Sequence, residues 1–190
     1  MKPLIILLLM VVVSSLVAQD KSLPYSELPS YPESFTGGAV ASRVIDGLGF
    51  RFYWATDGLR PEDLSYKPTK EARTSQETIE HIYGLTTMIL MATQQTADIS
   101  GSNSKMSFAE LRRAVLQNLK TASDKLRGSS DQQLKDFKIK FNGHEYPFWN
   151  QLNGPIADCL WHVGQVVTFR RSSGNPFSNK VEVFTGEVEK

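Results

Sequence analysis

The chain has almost nothing to cross-link it. One of its 190 residues is cysteine, Cys159, so no internal disulfide can form, although the N-terminus reads as that of an exported protein. Cys159 lies in a helical pattern beside Asp158 and Leu160, which makes it a small buried hydrophobe rather than a reactive thiol. Charge of one sign is also lacking: 21 Lys and Arg stand against 20 Asp and Glu. Without clustered basic residues to displace counterions, the chain is a poor nucleic-acid binder. Signature motifs are missing too. There is no G-x-S-x-G elbow, no P-loop, no G-x-G-x-x-G after a strand and no H-E-x-x-H. Histidine is scarce, with three in all, so any imidazole chemistry rests on His81, His144 or His162.

A long apolar run occurs at the start, from Leu4 to Val13, behind a single Lys and ahead of Ser, Ala and Gln. This is the layout of a secretory signal, and it falls short of the roughly 20 residues that span a bilayer. Residues 1–18 are expected to be cleaved after Ala18, which removes one Lys and no acid and leaves the mature chain neutral. The expected location is periplasmic or extracellular, with no stable membrane span after cleavage. Residues 19–29 form an N-terminal extension, 30–175 one domain, and 176–190 a tail. A mature chain of this length can bury a core without staples.

The pattern within 30–175 predicts an all-α four-helix bundle with a small β-hairpin between helices three and four. Ser30 to Glu33, Thr74 to Glu77 and Ser107 to Glu110 each match the capping box, so they place three helix starts. The first helix is expected to run to about Thr56, with Phe35, Val40, Val44, Ile45, Leu48 and Phe52 on its apolar side. Asp46 and Arg51 would then turn to solvent. The second begins at Ser75 and carries Ile79, Ile82, Leu85, Met88, Ile89 and Ala92 towards Gly101. The third ends near Leu126, with Gly128 expected as a left-handed cap. The fourth is expected to start at an Asn153 cap, with Pro155 in the first turn, and to stop at Gly174 and Pro176. Between helices three and four, Phe137, Ile139 and Phe141 alternate with lysines ahead of Asn142-Gly143, the pattern of a tight hairpin. Val181 to Phe184 could add a strand.

His144 follows the hairpin turn and is expected to be exposed. His81 shares a helical row with Leu85, Met88 and Ala92, while Asp158 and His162 stand four apart on the last helix, in a row that continues to Gln165 and Phe169. Helical bundles build metal sites from such rows on facing helices, because neutral imidazole and carboxylate suit Zn, Ni, Mn or Fe. The same groups also serve as hydrogen-bonded core or rim residues, and spacing alone leaves both readings open. Glu77 is accounted for by its cap. Gln165, one turn beyond His162, is a candidate hydrogen-bonding partner of a ligand or substrate.

The segments TSQETIEHIYGL, WHVGQ and LRPEDLSYKPTKEA together resemble the DinB-like superfamily, helical bundles described as metal-dependent enzymes, over most of residues 30–175. The resemblance implies a divalent metal held by a His early in helix two and a His-x-x-x-His pair in the last helix. His81 matches the first and His162 the second member of the pair. The first member falls on Asp158, where a carboxylate would shift preference towards harder ions. The superfamily includes thiol-dependent transferases and isomerases, so membership implies no single reaction. The leading expectation is an exported metal-dependent hydrolase acting on a small molecule. A thiol-dependent transferase fits an exported protein less well. The alternatives are a binding module without catalysis, open to homodimerisation through an exposed helix face, and a degenerate bundle whose His and Asp are structural.

Overall fold

The computed structural model describes residues 23–94 and 106–189; the signal-like run and the expected helix end at Gly101 lie outside them. Four long helices form the body: α1 (Gly37–Thr56), α3 (Ser75–Gln94), α4 (Phe108–Arg127) and α7 (Ala157–Ser172). Each packs against two others, α1 on α4 and α7, and α3 on α4 and α7, which closes a four-helix bundle around one core. Ile45, Leu48, Phe52, Ile79, Ile82, Ile89, Leu116, Leu119 and Val166 are sealed inside it. Short elements join them: α2 (Pro61–Ser65), α5 (Asp131–Asp136), the antiparallel pair β1 (Lys138–Phe141) and β2 (His144–Pro147), and α6 (Trp149–Gln151). A second small hairpin, β3 (Val181–Glu182) and β4 (Glu187–Val188), closes the chain. No helix of the described residues is long and apolar enough to cross a membrane.

The punctuation holds at two of the three capping boxes. Thr74 and Glu77 exchange backbone and side-chain bonds at the head of α3, and Ser107 and Glu110 do so at α4. The third box fails. Ser30 to Glu33 is not helical, and α1 starts seven residues later with Thr36 as its cap, its hydroxyl accepting from the Ala39 amide. The reason is local: Tyr31 precedes Pro32, and the residue before a proline is pushed out of the α region. Gly128 ends α4 at φ −91°, not in the left-handed conformation, whereas Gly174 after α7 does adopt φ +80°. There Asn175 N–H reaches the Arg170 carbonyl and Gly174 N–H the Arg171 carbonyl, which satisfies the last turn. Asn142 and Gly143, at φ +50° and +75°, make the hairpin turn that the dipeptide requires.

The face of α1 is the main departure. Phe35, Val40 and Val44 are exposed, while Ala41, Ser42, Asp46, Gly49 and Thr56 are buried. The row Ser42, Asp46, Tyr53, Thr56 faces α4 and bonds across it: Ser123 Oγ donates to the Ser42 carbonyl and to Asp46, and the Arg112 guanidinium donates to Thr56 Oγ1 and the Tyr53 carbonyl. The start of α1 comes so close to α4 that a Cβ on Gly38 would lie 2.3 Å from the Leu126 carbonyl oxygen. Small residues permit the approach and paired polar groups fill it. Apolar periodicity therefore finds Ile45, Leu48 and Phe52 inside but misplaces the polar and glycine row that faces α4.

Asp63 on α2 fastens the end of α7. Its carboxylate is fully buried and accepts from Arg60 N–H at 2.8 Å, Arg60 Nη2 at 2.9 Å, Ser173 Oγ at 2.6 Å and Asn175 Nδ2 at 2.6 Å. The Arg60 guanidinium, above all, and then Ser173 and Asn175 hold this carboxyl well below the usual carboxylate range, against the cost of burial. A depressed folded-state pKa contributes stability that is present above the unfolded value of about 3.9 and is lost as pH falls towards the folded one. Asp63→Asn is thus expected to cost about 2 kcal/mol at pH 7, or about 4–8 °C in Tm. The gap to the parent should narrow below about pH 4. Thermal melts across a pH series check this; a gap that stays constant to pH 2 would refute the assignment.

Candidate metal centre

The site is assembled where α3 meets α7. His81 lies in the second turn of α3, two turns from the Thr74 cap that fixes where the helix begins. On the other side, α7 does not start at an Asn153 cap as the sequence suggests. The chain passes from α6 through a π-helical turn, Leu152–Ile156, kinked at Gly154 with φ −93° and ψ −111°, and Asn153 caps nothing. Pro155 has no N–H to give a regular turn, and the wider turn accommodates it. The Ala157 N–H then bonds back to the Gly154 and Leu152 carbonyls, which makes Asp158 the second residue of α7.

Asp158 and His162, one turn apart, face His81 together. Asp158 Oδ1 lies 3.3 Å from His162 Nε2, and Asp158 Oδ2 lies 3.5 Å from His81 Nε2. The two rings meet edge to face, 4.6 Å apart at 89°. One donor atom from each residue falls within 4.8 Å of the other two. Gln165 completes the arrangement from the next turn, its Oε1 2.7 Å from His162 Nδ1. An amide oxygen only accepts, so in this contact Nδ1 donates to it, and Nε2 is the nitrogen that faces the carboxylate. Partial burial, then the nearby Arg73 and His162, hold His81 below the ordinary imidazole value against the pull of Asp158, so the neutral form is favoured at His81.

These observations test the fit of a metal. Two imidazole nitrogens and a carboxylate face one another at 3.3 and 3.5 Å, a contact that either a proton on an imidazole or a shared dication would make attractive. A dication bound at about 2.0–2.2 Å from each donor would draw together three atoms that now lie within 4.8 Å of one another. The tautomer set by Gln165 is the one a ligating imidazole needs, with its other nitrogen bonded to an acceptor. The set fits. Half-exposed His81 and Asp158 leave the outer side of the triangle open to water and small molecules.

No family model and no curated protein matches this sequence. Among solved structures, the crystal structure of a DinB-like protein from Bacillus subtilis superimposes with a TM-score of 0.53. The match covers 70% of this chain and 93% of that one at 13% identity.

The fold is DinB-like.

At that identity the likeness carries the architecture, and the chemistry has to come from the side chains. The DinB-like bundle brings together His81, Asp158, His162 and Gln165, the four residues singled out by helical spacing and by resemblance. It leaves the others out. His144 is exposed on the hairpin, Glu77 is occupied by its cap, and Glu80 accepts from Gln76. Cys159 is fully buried, and that burial pushes its thiol far above the usual range, so it is neither a nucleophile nor a ligand.

Sequence reasoning missed what stands beside the metal centre. A cleft of about 610 Å³ opens at Asp158, between α3, the β1–β2 hairpin and the π-helical turn. Trp161, which lines it, is 72% exposed. The sequence carried a signal for this: a Trp immediately before His162, on a helix whose apolar face points elsewhere.

Proposed function

We propose that this DinB-like protein holds one divalent first-row transition ion through His81, Asp158 and His162 and uses it to hydrolyse a small-molecule substrate outside the cytoplasm. The observation that carries the reading is the convergence of three electron-rich donors, with the tautomer of one fixed by Gln165. A bound dication supplies Lewis acidity there, polarising a substrate oxygen and acidifying water. The chain's own part is to hold the three donors facing one another from two helices. Two imidazoles and one carboxylate leave a dication with one net positive charge, enough to draw a substrate oxygen. The open side of the triangle admits that oxygen, and Gln165 keeps His162 from rotating away.

Hydrolysis is favoured over thiol transfer because the one cysteine is sealed in the core and because an exported protein meets little low-molecular-weight thiol. The leader-like layout of residues 1–18 supports export. The test is elemental analysis of the purified parent after exposure to Mn, Ni, Zn or Fe(II) salts and exhaustive dialysis. One equivalent of metal per chain is expected. An ion present at 100 times its Kd should raise Tm by about 5–10 °C. A parent that retains no metal from any of the four salts, and whose Tm none of them moves, would sink the proposal.

A further inference from the structure

We propose that the molecule this site acts on is an uncharged ester or amide with a flat apolar body, seated in the cleft beside Asp158; the claim that it is a substrate rests on the metal-dependent reading above. The cleft, at about 610 Å³, falls in the range that encloses a small organic ligand. Its walls continue the rows that supply the metal donors. Leu85 and Met88 follow His81 on α3 by four and seven residues, and Trp161 follows Asp158 on α7 by three. The hairpin adds Ile139, Phe141 and Tyr146 as the third wall. A ligand body placed against Met88 and Trp161 therefore has its reactive end at the donors.

Aromatic surface left in water decides the shape of the body. Trp161 is 72% and Phe141 47% exposed, both line the one concavity, and a flat apolar body seated there would take aromatic surface of both out of water. Charge decides the rest. Among the residues lining the cleft, Asp158 alone carries a formal charge, and no Lys or Arg is among them. The hairpin lysines, Lys138 and Lys140, alternate with Ile139 and Phe141 and so point to the opposite face. An anionic body would face the Asp158 carboxylate with no cation on the walls to pair it, while a cationic one would compete with the metal for the same oxygens. The amides of Asn150 on α6 and Asn153 on the π-helical turn offer donors and acceptors to a carbonyl or an N–H without selecting for charge.

The neutral fluorophore N-phenyl-1-naphthylamine serves as reporter, on the full chain with and without metal. Three competitors share one body and differ in charge: 4-phenylbutyramide, 4-phenylbutyrate and 4-phenylbutylamine. The amide should displace the reporter at least tenfold more effectively than either charged analogue. Trp161→Ala, at an exposed position that the fold tolerates, should weaken reporter binding at least fivefold, and Met88→Gln similarly. His81→Ala should change it less than twofold while abolishing metal retention. Equal displacement by butyrate or butylamine would overturn the proposal, as would unchanged reporter binding in both cleft variants. So would a concentration-dependent dimer that excludes the reporter and that Trp161→Ala dissolves, since the cleft would then be an interface between copies. Reporter binding with the expected selectivity in a parent that holds no metal would fall on the hydrolase reading; metal binding with no reporter binding would fall on this one.

Discussion

If His81, Asp158 and His162 hold the proposed ion, replacing His162 with alanine is expected to remove it while leaving the bundle folded. His162 supplies one of three protein donors, and Asp158 and His81 sit on different helices, so what remains is a two-point contact across a helix interface. Losing a residue that only orients a ligand costs 10–100-fold in metal affinity, and losing the ligand itself must exceed that. A drop of more than 100-fold, about 3 kcal/mol, is expected. Gln165→Leu provides the graded comparison, because it keeps all three donors and frees only the His162 tautomer. It should fall within the 10–100-fold range. The fold should survive both changes, since neither His162 nor Gln165 belongs to the buried core. Competition against a chromophoric chelator gives the affinities, and far-UV circular dichroism with a thermal melt gives the fold. One equivalent of metal held by His162→Ala at parental affinity would remove His162 from the ligand set.

The donors were legible in the sequence because each depends on local geometry. Asp158 and His162 are four apart on a helix, Gln165 is three further on, and a side chain's place on its own helix follows from 3.6 residues per turn. What spacing does not contain is the angle and offset at which α3 crosses α7, which come from core packing along both helices. The place of His81 in the set therefore rested on its own helical row and on resemblance, and the 3.5 Å approach to Asp158 supplies what spacing could not. The entry to α7 was misread for a related reason. An Asn followed by Gly and Pro looks like a cap and first turn, but here the preceding residues are also helical and the chain runs through in a π-helical turn. That turn forms one edge of the cleft, so missing it meant missing the cleft. On α1 the failure lay in the assumption that apolar residues mark the inside. Phe35 and Val40 are outside, and beside Ile45, Leu48 and Phe52 the inside holds glycine, serine and a carboxylate matched to partners 77 to 81 residues away.

That carboxylate gives a large stability effect. Asp46 is fully buried in α1, and three groups converge on it: Tyr25 Oη donates at 3.1 Å, Ser123 Oγ donates at 2.5 Å, and Arg127 forms an ion pair. Tyr25 belongs to the segment before α1, and its ring lies so close to Gly49 that a Cβ there would meet it at 2.4 Å. Asp46 thereby ties the N-terminal segment, α1 and α4 into one unit. Burial, and then the Asp46 charge, push the Tyr25 hydroxyl far above its ordinary pKa, so it stays protonated and keeps donating. Asp46→Ala removes the acceptor and strands three donors, one of them charged. Breaking a buried pair from one side costs about 3–5 kcal/mol, and the partial exposure of Arg127, which can turn to water, puts the value near 3. For a chain of this size that is about 6–12 °C in Tm. Tyr25→Phe, which leaves the Asp46–Ser123–Arg127 contacts in place, should cost only about 1 kcal/mol. Thermal and urea melts of the two variants check the ranking. Because Asp46 lies on the α1–α4 seam and the donors lie between α3 and α7, metal retention by folded Asp46→Ala should equal that of the parent. An equal cost for both variants would mean that the ion pair contributes nothing and that Asp46 is held only by the tyrosine.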